Sequence, residues 1–243
     1  MKMKINLLMK KEEIDTEKID QTKIAVVLDI LMATTSITAA LAEGAKSVIP
    51  VLNEAEAISE KKKYNDKEVC IAGEAGGFVI DGFLTPVPLS LCKYVQGKKV
   101  ILSTTNGTVA IRSTLQAKKT YIASLLNSVA VAKDITSHYN NESILIICAG
   151  SSGQFCLEDF YGAGYLINEL IKRTEDQKIE LSDSAKSAKL FYRAYFDQAE
   201  RILSQSGVGQ MLIKEGFHKD IKFTSQKNIM NLVPKLNGHQ IIF

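Results

Sequence analysis

Short apolar runs recur along the chain, and the ones with most chemistry give way to small, oxygen-bearing residues. Ile24-Ala25-Val26-Val27-Leu28 ends in Asp29 and is soon followed by Ala33-Thr34-Thr35-Ser36. Val100-Ile101-Leu102 runs into Ser103-Thr104-Thr105-Asn106-Gly107-Thr108. Ile144-Leu145-Ile146-Ile147-Cys148 runs into Ala149-Gly150-Ser151-Ser152-Gly153 and on to Glu158-Asp159. A short, β-branched apolar run predicts a buried strand, and open α/β sheets place their ligands just beyond the carboxyl ends of such strands. Three strand ends of one kind predict one shared pocket.

Between these runs the pattern alternates. An opening strand is expected over Ile5 to Met9, and after Asp29 a helix from Thr34 to Gly44, with hydroxyls at its start and glycine at its end. Val48 to Val51 and Val69 to Glu74 read as strands, with a helix from Asn53 to Tyr64 between them and the loop Ala75-Gly76-Gly77-Phe78 after them. Asp81 to Leu91, carrying Gly82, Pro86 and Pro88, is expected to be extended and long enough to fold over a site. Helices are predicted over Thr108–Leu115, Asn127–Tyr139, Leu157–Arg173, Ser184–Gln205 and Val208–Glu215, and a strand over Lys119–Ala123. Gly162-Ala163-Gly164 would let the long helix pack closely, and Ile229 to Pro234 reads as an edge strand that its proline ends. Strand alternating with helix predicts parallel pairing, and no repeat, linker or low-complexity tract divides the chain, so residues 1–243 read as one unit.

Composition narrows the functional classes. The 243 residues are 46% hydrophobic, enough to bury a full core. The net charge of +3 comes from 30 basic and 27 acidic residues mixed along the sequence. Lys61-Lys62-Lys63 is the densest basic run, without interleaved aromatics, and reads as a solvated helix end; nucleic acid is not an expected partner. The apolar stretch Ile5 to Met9 is too short for a signal-peptide core, and no run approaches the ~20 apolar residues of a membrane span. A soluble, cytoplasmic protein without membrane contact is expected. Cys70, Cys92, Cys148 and Cys156 show no C-x-x-C spacing and His138, His218 and His239 are scattered, which favours reduced thiols over zinc or disulfides.

Asp29 is open to four readings: nucleophile, magnesium ligand, general base, or cap of the following helix. Glu74, Glu158 and Asp159 are the other acids beside strand ends or at a helix start, and converging carboxylates completed by water are how magnesium is held. The two acids at 158 and 159 also suit a helix N-terminus electrostatically. Thr34, Thr35, Ser103, Thr104, Thr105, Asn106, Ser151 and Ser152 offer hydroxyls and backbone N–H groups at strand-to-helix turns, where phosphate groups bind. The sequence lacks G-x-x-x-x-G-K-[ST], G-x-G-x-x-G and G-x-S-x-G, which removes P-loop, dinucleotide and serine-hydrolase readings. An aspartyl phosphatase of the haloacid-dehalogenase type needs a second Asp two positions after the first, where this chain has Leu31.

The segments Val27-Leu28-Asp29-Ile30-Leu31-Met32-Ala33-Thr34-Thr35, Gly73-Glu74 with Gly77 and Asp81-Gly82-Phe83, Thr104-Thr105-Asn106-Gly107-Thr108, and Cys148-Ala149-Gly150 with Gly153, Phe155 and Leu157-Glu158-Asp159 together resemble the 2-phosphosulfolactate phosphatase family. The likeness continues through Ala163-Gly164 to Val233-Pro234. It implies a three-layer α/β/α enzyme that uses magnesium to hydrolyse a small anionic phosphate ester, releasing sulfolactate and phosphate, a step that in archaea belongs to coenzyme M biosynthesis. On this reading Asp29, Glu158 and Asp159 carry catalysis, and with Glu74 surround the metal. Thr34, Thr35, Thr104, Thr105, Asn106, Gly107, Ser151 and Ser152 hold the substrate.

The chain departs from the family pattern in three places. Met32 and Val109 stand where the family has arginine, and Phe83-Leu84-Thr85-Pro86-Val87-Pro88 stands in place of F-D-L-G-N-S-P. Arginine gives anions bidentate contacts that Met and Val cannot, and each lost charged hydrogen bond costs roughly 1.5–3 kcal/mol. Arg112, one helical turn beyond Val109, is a candidate substitute, against the plainer reading of an exposed helix arginine. The rival to an enzyme is a catalytically degenerate relative that binds a small anion or a partner without turnover. A purely structural role, such as an oligomer scaffold, has least support, because polar groups at strand ends are costly to bury; association of the enzyme into a homo-oligomer stays open.

Overall fold

The structure is a computed structural model describing residues 2–174 and 178–243. Its strands are β1 (Met3–Leu8), β2 (Lys23–Leu28), β3 (Ser47–Val51), β4 (Val69–Ala75), β5 (Phe78–Val79), β6 (Lys99–Ser103), β7 (Lys119–Ala123), β8 (Ser143–Cys148), β9 (Ile179–Leu181), β10 (Lys235–Asn237) and β11 (Gln240–Ile242). Its helices are α1 (Ala33–Ala42), α2 (Glu54–Lys61), α3 (Pro88–Leu91), α4 (Gly107–Arg112), α5 (Ser128–His138), α6 (Leu157–Lys172), α7 (Asp183–Ala194), α8 (Ala199–Gln205), α9 (Gly207–Lys214) and α10 (His218–Thr224).

The strands form one sheet in the order β5-β4-β6-β3-β11-β10-β7-β2-β8-β1-β9. Two blocks within it are parallel, β9-β1-β8-β2-β7 and β3-β6-β4. The β10-β11 hairpin joins them and is antiparallel to both neighbours, pairing Lys235 with Tyr121 and Ile241 with Val48. Burial follows position in the sheet. In central β2 every residue from Ile24 to Leu28 is buried, whereas β1, next to the edge, buries Met3, Ile5 and Leu7 and exposes Lys4 and Asn6. That is the continuous apolar run of a strand covered on both faces against the alternation of one covered on a single face.

Helices cover both faces, giving three α/β/α layers. One core packs Val26, Leu28, Ile144 and Ile146 against α5, α6 and α7. A second joins Ala25, Val27, Val100 and Leu102 to Ile37 and Leu41 of α1 and Ile111 of α4, and a third seats α2 on Ile49 and Ile101. The small residues of α6 allow close approach: a Cβ at Gly162 would meet Ile30, and one at Gly164 would strike the Ala188 carbonyl of α7. Among the described residues no helix is long and apolar enough to cross a membrane, and all four cysteines are free thiols.

Three predicted elements differ. Residues 229–234 form no strand: the strand begins after Pro234, whose carbonyl accepts the Ile122 N–H at 3.0 Å, and the resulting hairpin lies inside the sheet, not at its edge. The expected helix over Ser184–Gln205 breaks into α7 and α8, because the Tyr161 hydroxyl approaches the carbonyls of Tyr195 and Phe196 at 3.1 Å each and draws them out of the helical ladder. The 81–91 segment does not fold over the cleft. Leu84 exchanges backbone hydrogen bonds with Ile71 and Gly73 of β4, the Pro86 carbonyl accepts Ser36 Oγ, and Pro88–Leu91 closes as α3.

Candidate active site

The turn after β2 is built from backbone groups that its threonines satisfy. Asp29 N–H donates to Thr34 Oγ1 at 3.0 Å while that hydroxyl donates to the Asp29 carbonyl at 2.9 Å, and Thr35 Oγ1 donates to the Ile30 carbonyl at 2.9 Å. Both threonines are wholly buried, and neither lines the cleft above them. The Met32 and Ala33 amides at the start of α1 lie beside the Asp29 carboxylate and favour its charged form, while the carboxylate faces the cleft.

Asp159, in the first turn of α6, ties two strand ends together. Its Oδ1 accepts Ile30 N–H at 2.8 Å, beyond β2, and its Oδ2 accepts Gly150 N–H at 3.1 Å, beyond β8. Glu158 beside it is buried, and its Oε2 has no hydrogen-bond partner. An orphaned carboxylate oxygen in a buried position is costly unless something positive meets it.

On the β4–β6 side, Glu74 organises the turn after β6. Its Oε1 accepts Thr105 N–H at 2.6 Å, and its Oε2 accepts the Thr105 hydroxyl at 3.0 Å and Gly77 N–H at 2.8 Å. Gly76 and Gly77, both at positive φ, turn β4 back into β5, so the expected loop at 75–78 is a tight hairpin tip. Thr104 and Thr108 cap α4 reciprocally, each N–H donating to the other's Oγ1 at 3.0 Å. Gly107 packs directly on Asp29.

These ends open on one cleft of about 470 Å³. Asp29, Glu74, Glu158 and Asp159 line it together, with Thr104, Thr105, Asn106, Ser151 and Ser152. Thr34, Thr35 and Gly107 support it from behind. Met32, Phe155, Leu157, Val208 and Met211 give it an apolar wall. Among the described residues no lysine, arginine or histidine lines it. Arg112 lies elsewhere, paired with Glu56 at 2.6 Å and directed at the Pro50 carbonyl.

Burial sets the electrostatics. It pushes the Asp29 carboxyl up to about 7, helped by the charges of Glu74 and Glu158 and opposed by the Met32 and Ala33 amides. Burial raises Glu158, and burial with the charges of Asp29 and Glu158 raises Asp159. As the side chains stand, no group of three or more His, Cys, Asp or Glu among the described residues is arranged to grip a metal ion. The acids nevertheless suit a hard divalent cation, although the Cys156 thiol also lines the cleft beside Glu158: four carboxylates, an unpartnered buried oxygen on Glu158, mutual repulsion and, among the described residues, no positive side chain in the lining. Magnesium keeps several waters and needs only one or two protein carboxylates.

Pattern reading did not single out Lys10, Lys11, Ser206 or Met211, which lie at or beside the cleft. Lys11 Nζ donates to Asn106 Oδ1 at 2.7 Å, and Lys10 Nζ donates to the Gly153 carbonyl at 2.9 Å. Both follow β1, which pairs in parallel with β8, so their approach to the other strand ends could have been read from the alternation had that neighbour been known.

Fold and site together define a three-layer α/β/α protein that gathers four carboxylates in one cleft at the ends of its strands. The family model described as 2-phosphosulpholactate phosphatase matches residues 8–239, and the chain belongs to that family. A protein of Clostridium perfringens (strain SM101 / Type A) named "Probable 2-phosphosulfolactate phosphatase" is 39% identical, over 98% of this chain and 96% of its own length. Proteins of the same name from Clostridium acetobutylicum, 36% identical over 99% of this chain and 100% of theirs, and from Carboxydothermus hydrogenoformans, 39% identical over 98% and 94%, are similar throughout.

Proposed function

We propose that the chain is a magnesium-dependent phosphoric monoester hydrolase that converts 2-phosphosulfolactate to sulfolactate and inorganic phosphate. The observation that carries this reading is the meeting of Asp29, Glu158 and Asp159, buried and mutually repelling, in a cleft lined by turn hydroxyls and without a positive side chain. Free, mostly buried thiols support a cytoplasmic setting.

Glu158 and Asp159 are the carboxylates that would hold the ion, with Asp29 and Glu74 completing the acidic wall. The ion would neutralise these acids and polarise a phosphoryl oxygen. The Thr104, Thr105, Gly150 and Ser151 amides are spent on Thr108, Glu74, Asp159 and Gln154, so the phosphate is oriented by the Asn106 side-chain amide and the Ser151 and Ser152 hydroxyls, while Thr34 and Thr35 keep the Asp29 turn rigid. Asp29 accepts a proton from the attacking water as its oxygen bonds to phosphorus. The ester P–O bond breaks on the opposite side, and the departing alkoxide takes a proton from solvent to become the hydroxyl of the released acid, while Asp29 returns its own proton to solvent. An acid raised toward neutrality suits this role.

A second reading, binding without turnover, is favoured by the uncharged Met32 in the cleft wall and by Arg112 being turned away to Glu56. Phosphate release from phosphosulfolactate, phospholactate and an aryl phosphate, measured with magnesium and with chelator in the wild type and in Asp29→Ala, separates the two. Magnesium-dependent release lost in the variant supports hydrolysis. Magnesium binding without release from any ester supports the second reading.

A further inference from the structure

A substrate that carries an acid group besides its phosphate needs a cation beyond any metal, and the cleft wall supplies none. Arg112 is held by Glu56 and the Pro50 carbonyl. What borders the cleft is Lys11. Its backbone N–H is fixed to the Ala149 carbonyl at 3.1 Å, at the end of β8, and its side chain is 15% exposed. Nζ donates to Oδ1 of Asn106, a cleft-lining residue, at 2.7 Å and to Glu12 Oε1 at 2.6 Å. A lysine ammonium has three donors, so a third remains for a ligand beside Asn106. Glu12, the opposing charge, has a side chain 40% exposed, and its attraction for Nζ is screened by water.

We propose that Lys11 is the specificity-determining cation of the cleft, contacting the carboxylate or sulfonate arm of the phosphate ester while the acids and turns across the cleft handle the phosphoryl group. This rests on the phosphatase reading above. It makes Lys11 a binding residue for one part of the substrate, so its loss should be felt only by esters that have that part.

Steady-state kinetics of the wild type, Lys11→Met and Lys11→Arg, on phosphosulfolactate and on an aryl phosphate lacking a second acid, test it. Lys11→Met is expected to raise KM for phosphosulfolactate about tenfold or more, with kcat changed less and the aryl phosphate parameters within about twofold; Lys11→Arg recovers part of the loss. Equal losses on both esters would assign Lys11 a structural role through Asn106 and overturn the proposal, as would no change on either. If the wild type hydrolyses no ester, the phosphatase reading fails separately, and calorimetric binding of sulfolactate decides: weakening by about tenfold in Lys11→Met supports the proposal, and equal binding overturns it.

Discussion

Gly107 stands against the carboxylate of Asp29: a Cβ there would lie 3.0 Å from Asp29 Cγ, collide with its Oδ2 and come within 2.5 Å of Ala33 Cβ. The glycine opens α4, where alanine would ordinarily be the better helix former. Its absent side chain is therefore explained by the aspartate packed against it. Gly107→Ala is expected to lower kcat/KM at least tenfold by displacing Asp29 and to cost about 1–3 kcal/mol through overpacking. Kinetics and a thermal melt on one preparation check this; an unchanged kcat/KM would show that the carboxylate can shift without harm.

The neighbouring acids Asp29 and Asp159 should respond oppositely to neutralisation. Asp159 satisfies the buried N–H groups of Ile30 and Gly150, so Asp159→Ala leaves both without an acceptor and should cost about 2–5 kcal/mol, a fall in Tm of roughly 5–15 °C. Asp29→Asn keeps an oxygen for the Met32 and Ala33 amides and removes a charge that burial and Glu74 oppose. The metal-free variant is expected to melt at or above the wild-type temperature while hydrolysis falls at least a hundredfold. A large drop in its Tm would show that capping, not chemistry, keeps the aspartate.

Arg112 should matter to stability alone. Its guanidinium meets Glu56 2.6 Å away, with both side chains partly exposed, a pairing worth no more than about 1 kcal/mol. Arg112→Met is expected to lower Tm by about 1–3 °C and leave KM for an acidic ester within about twofold. A tenfold rise in KM would mean that the arginine leaves Glu56 when substrate binds.

Much of this architecture was legible because the chain states it locally. The run from Ile24 to Leu28 reads as a doubly covered strand and the hydroxyl residues from Thr34 as the start of a helix, and both form where the pattern puts them. The acids at 29, 74, 158 and 159 were picked out by their place after strands and at a helix start, and the fold brings all four to one cleft. What failed depended on distant partners. Three-residue strands such as Lys235–Asn237 are too short to show a period, and their place in the sheet is set by Tyr121 and Val48, more than a hundred residues away. The break after α7 depends on a hydroxyl from Tyr161, and the turn threonines at 34 and 35, read as ligands, spend their hydroxyls on carbonyls of their own turn. Lys11 escaped notice because nothing in its local sequence says that β1 ends beside β8.

The same acids should make metal-free stability depend on pH in an unusual sense. Ordinary paired carboxylates, here Asp134, Glu142 and Glu169, are held below their usual range by lysine and arginine partners, and their contribution is lost only in acid. Asp29, Glu158 and Asp159 are raised, so the folded chain binds more protons than the unfolded chain from the ordinary carboxylate range up to about pH 7. Unfolding free energy therefore falls as pH rises through that window, and buried Asp220 adds to the slope. The metal-free protein is expected to melt several degrees lower at pH 8 than at pH 5.5. Because a cation binds the ionised acids, millimolar magnesium should recover more of the Tm at pH 8 than at pH 5.5, and Asp29→Asn should flatten the slope. Scanning fluorimetry across this range with chelator and with magnesium reads both effects; a Tm that rises with pH in chelator would show that the acids are ionised and compensated without a metal.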